Sequence, residues 1–557
     1  MANSKSKAIT VSDSKSTPAQ GLLVARGIDL KPYKTVRIAV SGDVMVNRLE
    51  TDIIDTPDFQ RLRRIRQLGT TYLVYPTAVH TRFDHSLGTL EMAAQMVRAI
   101  RDNRHNSDDE RNISDEDEQL IRLLALLHDV THIPFGHTLE DECSVFDRHD
   151  ANRRRIDRFL DSDSSIGKLV KAKLGEAFYQ RFMKVYLTSK KDLAKLGEDA
   201  YIYDIVNNTV CADLLDYLRR DCYFCNLVLD MEYRFLNYLY LLRTGTERRV
   251  VIRLWKAGSS SPRPDVLSEL VRLLDNRYLL GERVYFHRAK LVSGAMLADA
   301  VQREKAAGML LEKDLWDMGD EALLARLAES KLEPVGFVAK ALQNRRLWKQ
   351  IYERNRNWIE TEQSEHRDIA VMEQTMETWW KNAKRRQEEQ DYLSGCIGLP
   401  VGRLLVYCPD ERMNLKLAEM KVLWNGTLRA LESCTDEPVI GPKLRTIIES
   451  HRQLWAIRGF LAPEYLDQKG ACQDGLDYFL SVDPHTREVA AQAFYSNVVA
   501  RVAASAHLDD LPHAEFQRYE ADAIARIMSD TASNRTPQAV EEIIKNAFTR
   551  QGDNSTA

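Results

Sequence analysis

The stretch "SDEDEQLIRLLALLHDVTHIPFGH", Ser114 to His137, decides how this chain is read. Ser114 and Asp117 stand in capping-box positions ahead of a strongly apolar run, which predicts a mostly buried helix. The helix delivers His128 and Asp129 as neighbours, with His132 one turn on and His137 beyond a proline. Four titratable groups at the end of an apolar helix are costly to desolvate unless something compensates. A divalent ion compensates, because imidazole nitrogen and carboxylate oxygen suit borderline metals, but an adjacent His and Asp supply only half a coordination shell. "HTRFDHSLGT" (80–89) offers His85, and "ADLLDYLRRD" (212–221) places Asp213, Tyr217 and Asp221 at four-residue steps along one helix face. A lone His-Asp dipeptide is more often a satisfied core pair, and the flanking groups remove most of the weight of that reading.

Outward from this stretch the chain is predicted to be mainly α. Val36, Ile38 and Val40 alternate with polar residues up to "SGD" (41–43), and Val44 and Val46 continue the alternation, predicting a short hairpin. In "DTPDFQRLRRIRQLG" (55–69) Thr56 is the expected N-cap and Pro57 the first helical residue, with Phe59, Leu62, Ile65 and Leu68 at helical spacing. Helical patterns dominate to the C-terminus, where only "VGRLLVYC" (401–408) reads as a strand. The expected organisation is a disordered tail over 1–27, a helical domain with its hairpin over 28–300, and a mainly helical region with minor β structure over 301–557.

Composition narrows the function classes. Of 557 residues, 44% are hydrophobic and 29% charged, and no apolar run has the length of a membrane span, so a cytoplasmic protein without a membrane partner is expected. The eight cysteines read as reduced thiols, with Cys222 and Cys225 as helical core residues. A net charge of −4 does not favour nucleic acid, and the basic clusters at 152–158 and 381–386 read as solvated helix faces.

The quoted motifs, together with "NRYLLGERVYFHRAK" (276–290), resemble in order and spacing the HD-domain deoxynucleoside triphosphate triphosphohydrolases, a family that includes bacterial dGTPases and the vertebrate SAM and HD domain protein. The resemblance covers about 34–300, and "LLVYCPDERMNLK" (404–416) extends it more weakly. It implies one transition metal (Fe, Mn, Zn or Ni) on His85, His128, Asp129 and Asp213, and Mg²⁺ with the triphosphate. It implies His137 as general acid oriented by Glu140, His132 on phosphate, His149 as a further active-site histidine, and Arg82 on phosphate oxygens, while Gly88 lets the next helix pack closely. Gln67 and Asp221 would bind the 3′-hydroxyl, with Leu68 a neighbouring substrate contact, and Tyr285 would lie against C2′. Tyr217, Arg277 and Lys290 would meet phosphates, and Asp55, Gln60 and Arg63 would read an activating nucleotide, GTP or a dNTP, between subunits of a homo-oligomer. Two positions depart from the family: Leu214 stands where a lysine is common after the last metal aspartate, and the hairpin reads "IAVSG" (38–42) in place of "DPIHG".

The implied activity is hydrolysis of a dNTP to deoxynucleoside and triphosphate, an activity compatible with antiviral depletion of dNTP pools. The alternatives are an HD-type phosphodiesterase or single-strand nuclease, which a basic, aromatic-lined groove would favour, and a non-catalytic nucleotide sensor, which loss of a ligand would favour. Neither feature is present in the sequence.

Overall fold

A computed structural model of the chain describes residues 27–104, 106–228, 231–255, 262–355, 369–409, 420–438, 440–481, 496, 499–500, 502–503, 511–529 and 537–549. The tail expected over 1–27, save Gly27, and residues 410–416 of the 404–416 motif lie outside the described residues. The fold is mainly α with small β elements, as the sequence indicates.

Three helices frame the site. Arg82–Asp102 packs against both Asp115–Leu127 and Ala212–Phe224. Ser114 and Asp117 form the expected capping box, and the apolar run behind them is buried throughout. Thr81 and Asp84 form a second box at the start of the Arg82–Asp102 helix, which gives Asp84 its function as a cap. Leu87, Leu90, Leu124, Leu215 and Leu218 join one continuous core, so the three helix ends that carry the polar groups are held by apolar packing behind them.

The hairpin forms as expected, Lys34–Ile38 against Gly42–Val46 with Lys34 opposite Val46. Its turn docks on the Ala212–Phe224 helix, where Arg220 donates to Ala39 O at 2.9 Å and to Ser41 Oγ at 3.1 Å. Thr56 caps a helix that begins at Pro57, but one α turn, Pro57–Gln60, passes into a 3₁₀ turn, Arg61–Arg64. The apolar spacing still holds for Phe59, Leu62 and Ile65, all fully buried, whereas Leu68 lies beyond the helix. The segment leaves the helix because its backbone pairs elsewhere: Arg82 N–H donates to Ile65 O and Gln67 N–H to His80 O.

The second half holds more β structure than its sequence suggests. Besides Leu404–Tyr407, strands form at Lys349–Asn355 and Ala456–Leu461, and the three make an antiparallel sheet centred on Ala456–Leu461. Leu239–Thr244 and Glu247–Arg253 form another hairpin; Lys421–Trp424 adds in parallel to Glu247–Arg253, and Thr427–Ala430 pairs antiparallel with Lys421–Trp424. Residues 420–447 thereby join the core of the first half, and residue 300 lies within the helix Arg288–Ala306. Two basic clusters are not merely solvated faces, since Arg155 and Arg386 are buried and hydrogen-bonded. Cys222 and Cys225 are buried thiols, as expected. Among the described residues no helix is long and apolar enough to cross a membrane.

Candidate metal centre and its surroundings

Four side chains from three helix ends converge. His85 Nε2 lies 3.0 Å from Asp213 Oδ1, 3.1 Å from His128 Nε2 and 3.7 Å from Asp129 Oδ2. His128 Nε2 is 3.4 Å from Asp129 Oδ1 and 3.6 Å from Asp213 Oδ1. Ligand atoms about 2.1 Å from one ion, at right angles to each other, would stand about 3.0 Å apart, which is close to this spacing. The outer nitrogens are already engaged. His85 Nδ1 is 2.9 Å from Asp216 Oδ2 and His128 Nδ1 is 2.8 Å from Ala125 O, so each ring can turn an unprotonated Nε2 toward the common point. The donor set therefore fits a divalent metal.

Electrostatics agree with a cation-seeking cluster. Burial opposes a charge on His85, but hydrogen bonds to Asp213 and Asp216 and the charge of Asp129 outweigh it and raise its pKa to about 10. Burial likewise opposes ionisation of Asp129, yet the charges of Arg82, His128 and His132 hold it well below the ordinary carboxylate range. Asp213 is depressed too, against burial, by hydrogen bonds to His128 and His85.

Asp216 is a site residue that the sequence reading missed. It is buried, takes two hydrogen bonds from Arg220 at 2.8 Å and fixes His85. A Cβ at Gly88 would overlap Asp216 Oδ1 and the Arg220 guanidinium, so the close packing expected of Gly88 is what admits this carboxylate. The available signal was its position three residues after Asp213 and four before Arg220 on one helix.

Beyond the candidate metal ligands lies a histidine cluster. His132 is fully buried, with Nε2 3.3 Å from Asp129 Oδ1 and its ring stacked on His149 at 3.8 Å between centroids. Burial and the neighbouring His132 lower the pKa of His149 to about 3, so it stays neutral. His137 is 42% exposed and reaches the cluster edge-on, 4.7 Å from His132. Phe135 and Gly136, at φ 60° and 36°, turn the chain between them, and a Cβ at Gly136 would stand 2.9 Å from the Arg82 guanidinium. The non-glycine left-handed residue is held by Asp320, whose Oδ1 accepts from Phe135 N–H at 2.7 Å while Oδ2 accepts from Arg66 N–H at 2.9 Å.

The expected pairing of His137 with Glu140 is not what forms. His137 Nδ1 is 2.6 Å from Asp141 Oδ2. Glu140 is buried, 3.0 Å from His132 Nδ1, and takes a 2.5 Å hydrogen bond from Arg155. Residues Thr138–Glu142 wind as a π-helix, whose wider turn brings the residue four places on beneath His137.

The remaining expected residues fall into three groups. Asp221 is clamped between His80 Nε2 at 2.8 Å and the Tyr285 hydroxyl, which donates at 2.6 Å. His80, unassigned from sequence, stacks on Phe224. The Gln67 side chain is buried with Oε1 unpartnered, and its carbonyl accepts from Arg82 at 3.4 Å. Leu68, Tyr217, Arg277 and Tyr285 are half-buried, and burial pushes the Tyr217 hydroxyl up to about 12 against the opposing charge of Arg277. Two cations are differently placed from the phosphate contacts expected of them: Arg82 is bound to Asp129 at 2.5 Å, and the buried Lys290 ammonium is paired with Glu142. Asp55 ends the helix Arg48–Ile54 and is exposed, with only Lys34 nearby at 3.4 Å, while Thr56 does the capping. Gln60 accepts from Arg63 at 2.9 Å, and the Arg63 guanidinium covers the Phe83 ring at 3.5 Å.

The site has the organisation of an HD domain, and the comparisons place it there: residues 82–219 match the HD domain family and residues 271–470 match the HD associated region. The chain is thus similar to HD-domain proteins, among them proteins named deoxynucleoside triphosphate triphosphohydrolases. It is 31% identical over 325 residues to an uncharacterized protein of Methanocaldococcus jannaschii, covering 57% of this chain and 59% of that one. It is 30% identical to the deoxynucleoside triphosphate triphosphohydrolase SAMHD1 homolog of Dictyostelium discoideum, over 57% of this chain and 60% of that protein. To deoxynucleoside triphosphate triphosphohydrolase SAMHD1 of Homo sapiens it is 27% identical, over 49% and 45%. The chain thus spans about half to three fifths of these relatives' length. A crystal structure of a hypothetical protein from Aquifex aeolicus shares the fold, with a TM-score of 0.53, 20% identity, and coverage of 80% of this chain and 99% of that one.

Proposed function

We propose that the protein is a metal-dependent triphosphohydrolase that converts a deoxynucleoside triphosphate and water to a deoxynucleoside and inorganic triphosphate. The observation that carries this reading is the convergence of His85, His128, Asp129 and Asp213 beside a half-exposed histidine, His137. The names of the SAMHD1 relatives supply the substrate class. His85, His128, Asp129 and Asp213 would hold a divalent transition metal, which would supply Lewis acidity at the α-phosphate and the attacking water. Mg²⁺ accompanies the triphosphate.

In this reading the water oxygen bonds to the α-phosphorus, releasing a proton to solvent, and the bond from phosphorus to the 5′-oxygen breaks. His137 gives its Nε2 proton to that leaving oxygen and is reprotonated from solvent. His132, with Glu140 at Nδ1 and Asp129 at Nε2, meets phosphate only by turning its Nε2 away from Asp129. Tyr217 and Arg277 meet the outer phosphates, whose several negative charges need such donors. Lys290 joins them only by leaving Glu142. Asp221 and Gln67 bind the 3′-hydroxyl beside Leu68, and Tyr285, fixed by Asp221, fills the space that a ribose 2′-hydroxyl would need. Asp55, Gln60 and Arg63 read the edge of an activating GTP or dNTP in a cytoplasmic homo-oligomer, since a carboxylate and an arginine present the complement to guanine. Limitation of dNTP supply in antiviral defence is the biological use this activity would have.

Asp129→Ala tests the centre. It is expected to lose both the bound metal and turnover, as read by elemental analysis and triphosphate release, and undiminished metal in a folded variant would remove the assignment.

A further inference from the structure

Asp141 has no role in the proposed reaction as described so far, yet it is the group that His137 touches. Its Oδ2 lies 2.6 Å from His137 Nδ1, and its Oδ1 accepts from Arg148 at 2.9 Å. Arg148 is itself tied to Asp150 by two hydrogen bonds of 3.0 Å. The chain His137, Asp141, Arg148, Asp150 therefore runs from the histidine cluster outward to half-exposed ground. Glu140, the other carboxylate within reach, is committed to His132, Arg155 and the His149 N–H.

We propose that Asp141, steadied by Arg148, is the positioning residue of His137: it takes the Nδ1–H, fixes that tautomer and leaves Nε2 as the nitrogen that delivers the proton to the leaving 5′-oxygen. This rests on the proposed triphosphohydrolase reaction. The carboxylate also offsets the positive charge that the imidazole carries before it donates. Its own state suits the task. Burial would raise the Asp141 pKa, but the His137 hydrogen bond and charge, with the charge of Arg148, bring it down to about 2, so it is anionic throughout the working range. The π-helical winding of Thr138–Glu142 is the structural device, because it presents residue 141 and not residue 140 to His137.

The experiment is a double-mutant cycle on the metal-loaded protein, with Asp141→Ala, His137→Ala and the pair, following triphosphate release from each dNTP. Asp141→Ala is expected to lower kcat about 10- to 100-fold, part of the ~10²- to 10⁴-fold that a general acid contributes, with KM and metal content close to parental. Asp141→Asn, which keeps an acceptor without the charge, is expected to fall between. In the His137→Ala background the loss from Asp141→Ala should vanish. A loss of similar size in that background, or a parental kcat for Asp141→Ala, would overturn the proposal. A parent protein that releases no triphosphate from any dNTP would instead sink the reading of function, and the proposal with it.

Discussion

At the scale of single residues, the proposed metal site is shaped by groups that would not touch the ion. His85 can offer a nitrogen because Asp216 holds its other side, and Asp216 can stay anionic in a buried place because Arg220 grips both its oxygens. Burial opposes that charge, and Arg220 together with the hydrogen bond to His85 wins, keeping Asp216 below the usual carboxylate range. Removing such an orienting carboxylate typically costs 10- to 100-fold in metal affinity. Asp216→Asn is therefore expected to weaken metal binding by about that factor in a competition titration with a chelator, while the protein remains folded. Affinity equal to the parent's would mean that His85 is oriented by other means. The candidate ligands His85, His128, Asp129 and Asp213 stood out in the sequence because their spacing belongs to a recognisable pattern, and the fold brings them together. Asp216 and Asp320 did not, because one aspartate in a charged helix looks like any other until a residue 131 or 185 positions away arrives beside it, and Asp141 was passed over because α-helical spacing offers Glu140 equally to His137.

At the scale of elements, helix starts were legible and turns were not. Capping boxes write themselves into four consecutive residues, and those at Ser114 and Thr81 form where their sequence puts them. The stretch from Pro57 stops being α-helical after one turn because its backbone is claimed by the strand-like segment before His85, a tertiary contact that no local pattern contains. The same holds for the left-handed turn at Phe135 and Gly136, which brings His137 back over His132 and is tied from outside by Asp320. Burial raises the pKa of Asp320 to about 6, against the two backbone N–H groups and Arg66. That value exceeds the roughly 3.9 of an unfolded aspartate, so between these limits the folded state holds the extra proton. Its contribution to stability is full below about pH 4 and is lost as pH rises through 6. Compared with Asp320→Asn, which does not titrate, the parent should lose up to about 3 kcal/mol of relative stability between pH 4 and 7 in urea unfolding. A difference that stays constant with pH would show that the buried carboxylate remains ionised.

At the scale of the whole molecule, the second half of the chain is part of the first half's architecture. Lys421–Trp424 adds to the sheet begun by Leu239–Thr244, and the helix Gly441–Arg452 lays His451 against Phe286, next to Tyr285. These strands escaped the sequence because they are short and carry charged residues in their midst, as in "KVLW" and "TLRA". Regulation belongs to this scale as well. Asp55 closes the helix Arg48–Ile54 with its backbone and leaves its exposed carboxylate near Lys34, while Gln60 accepts from Arg63. If they read guanine between subunits, GTP should raise hydrolysis of dATP, dCTP and TTP and increase the mass seen by light scattering, and Asp55→Ala should abolish both responses. Equal rates and an unchanged mass with and without GTP would leave these residues as ordinary surface. The most direct test of the central claim is the product of the reaction itself. Purified protein, loaded with Mn²⁺ and given each dNTP in ¹⁸O-water, should release intact triphosphate carrying one ¹⁸O and an unlabelled deoxynucleoside. Release of pyrophosphate and a deoxynucleoside monophosphate, or label in the nucleoside, would contradict it.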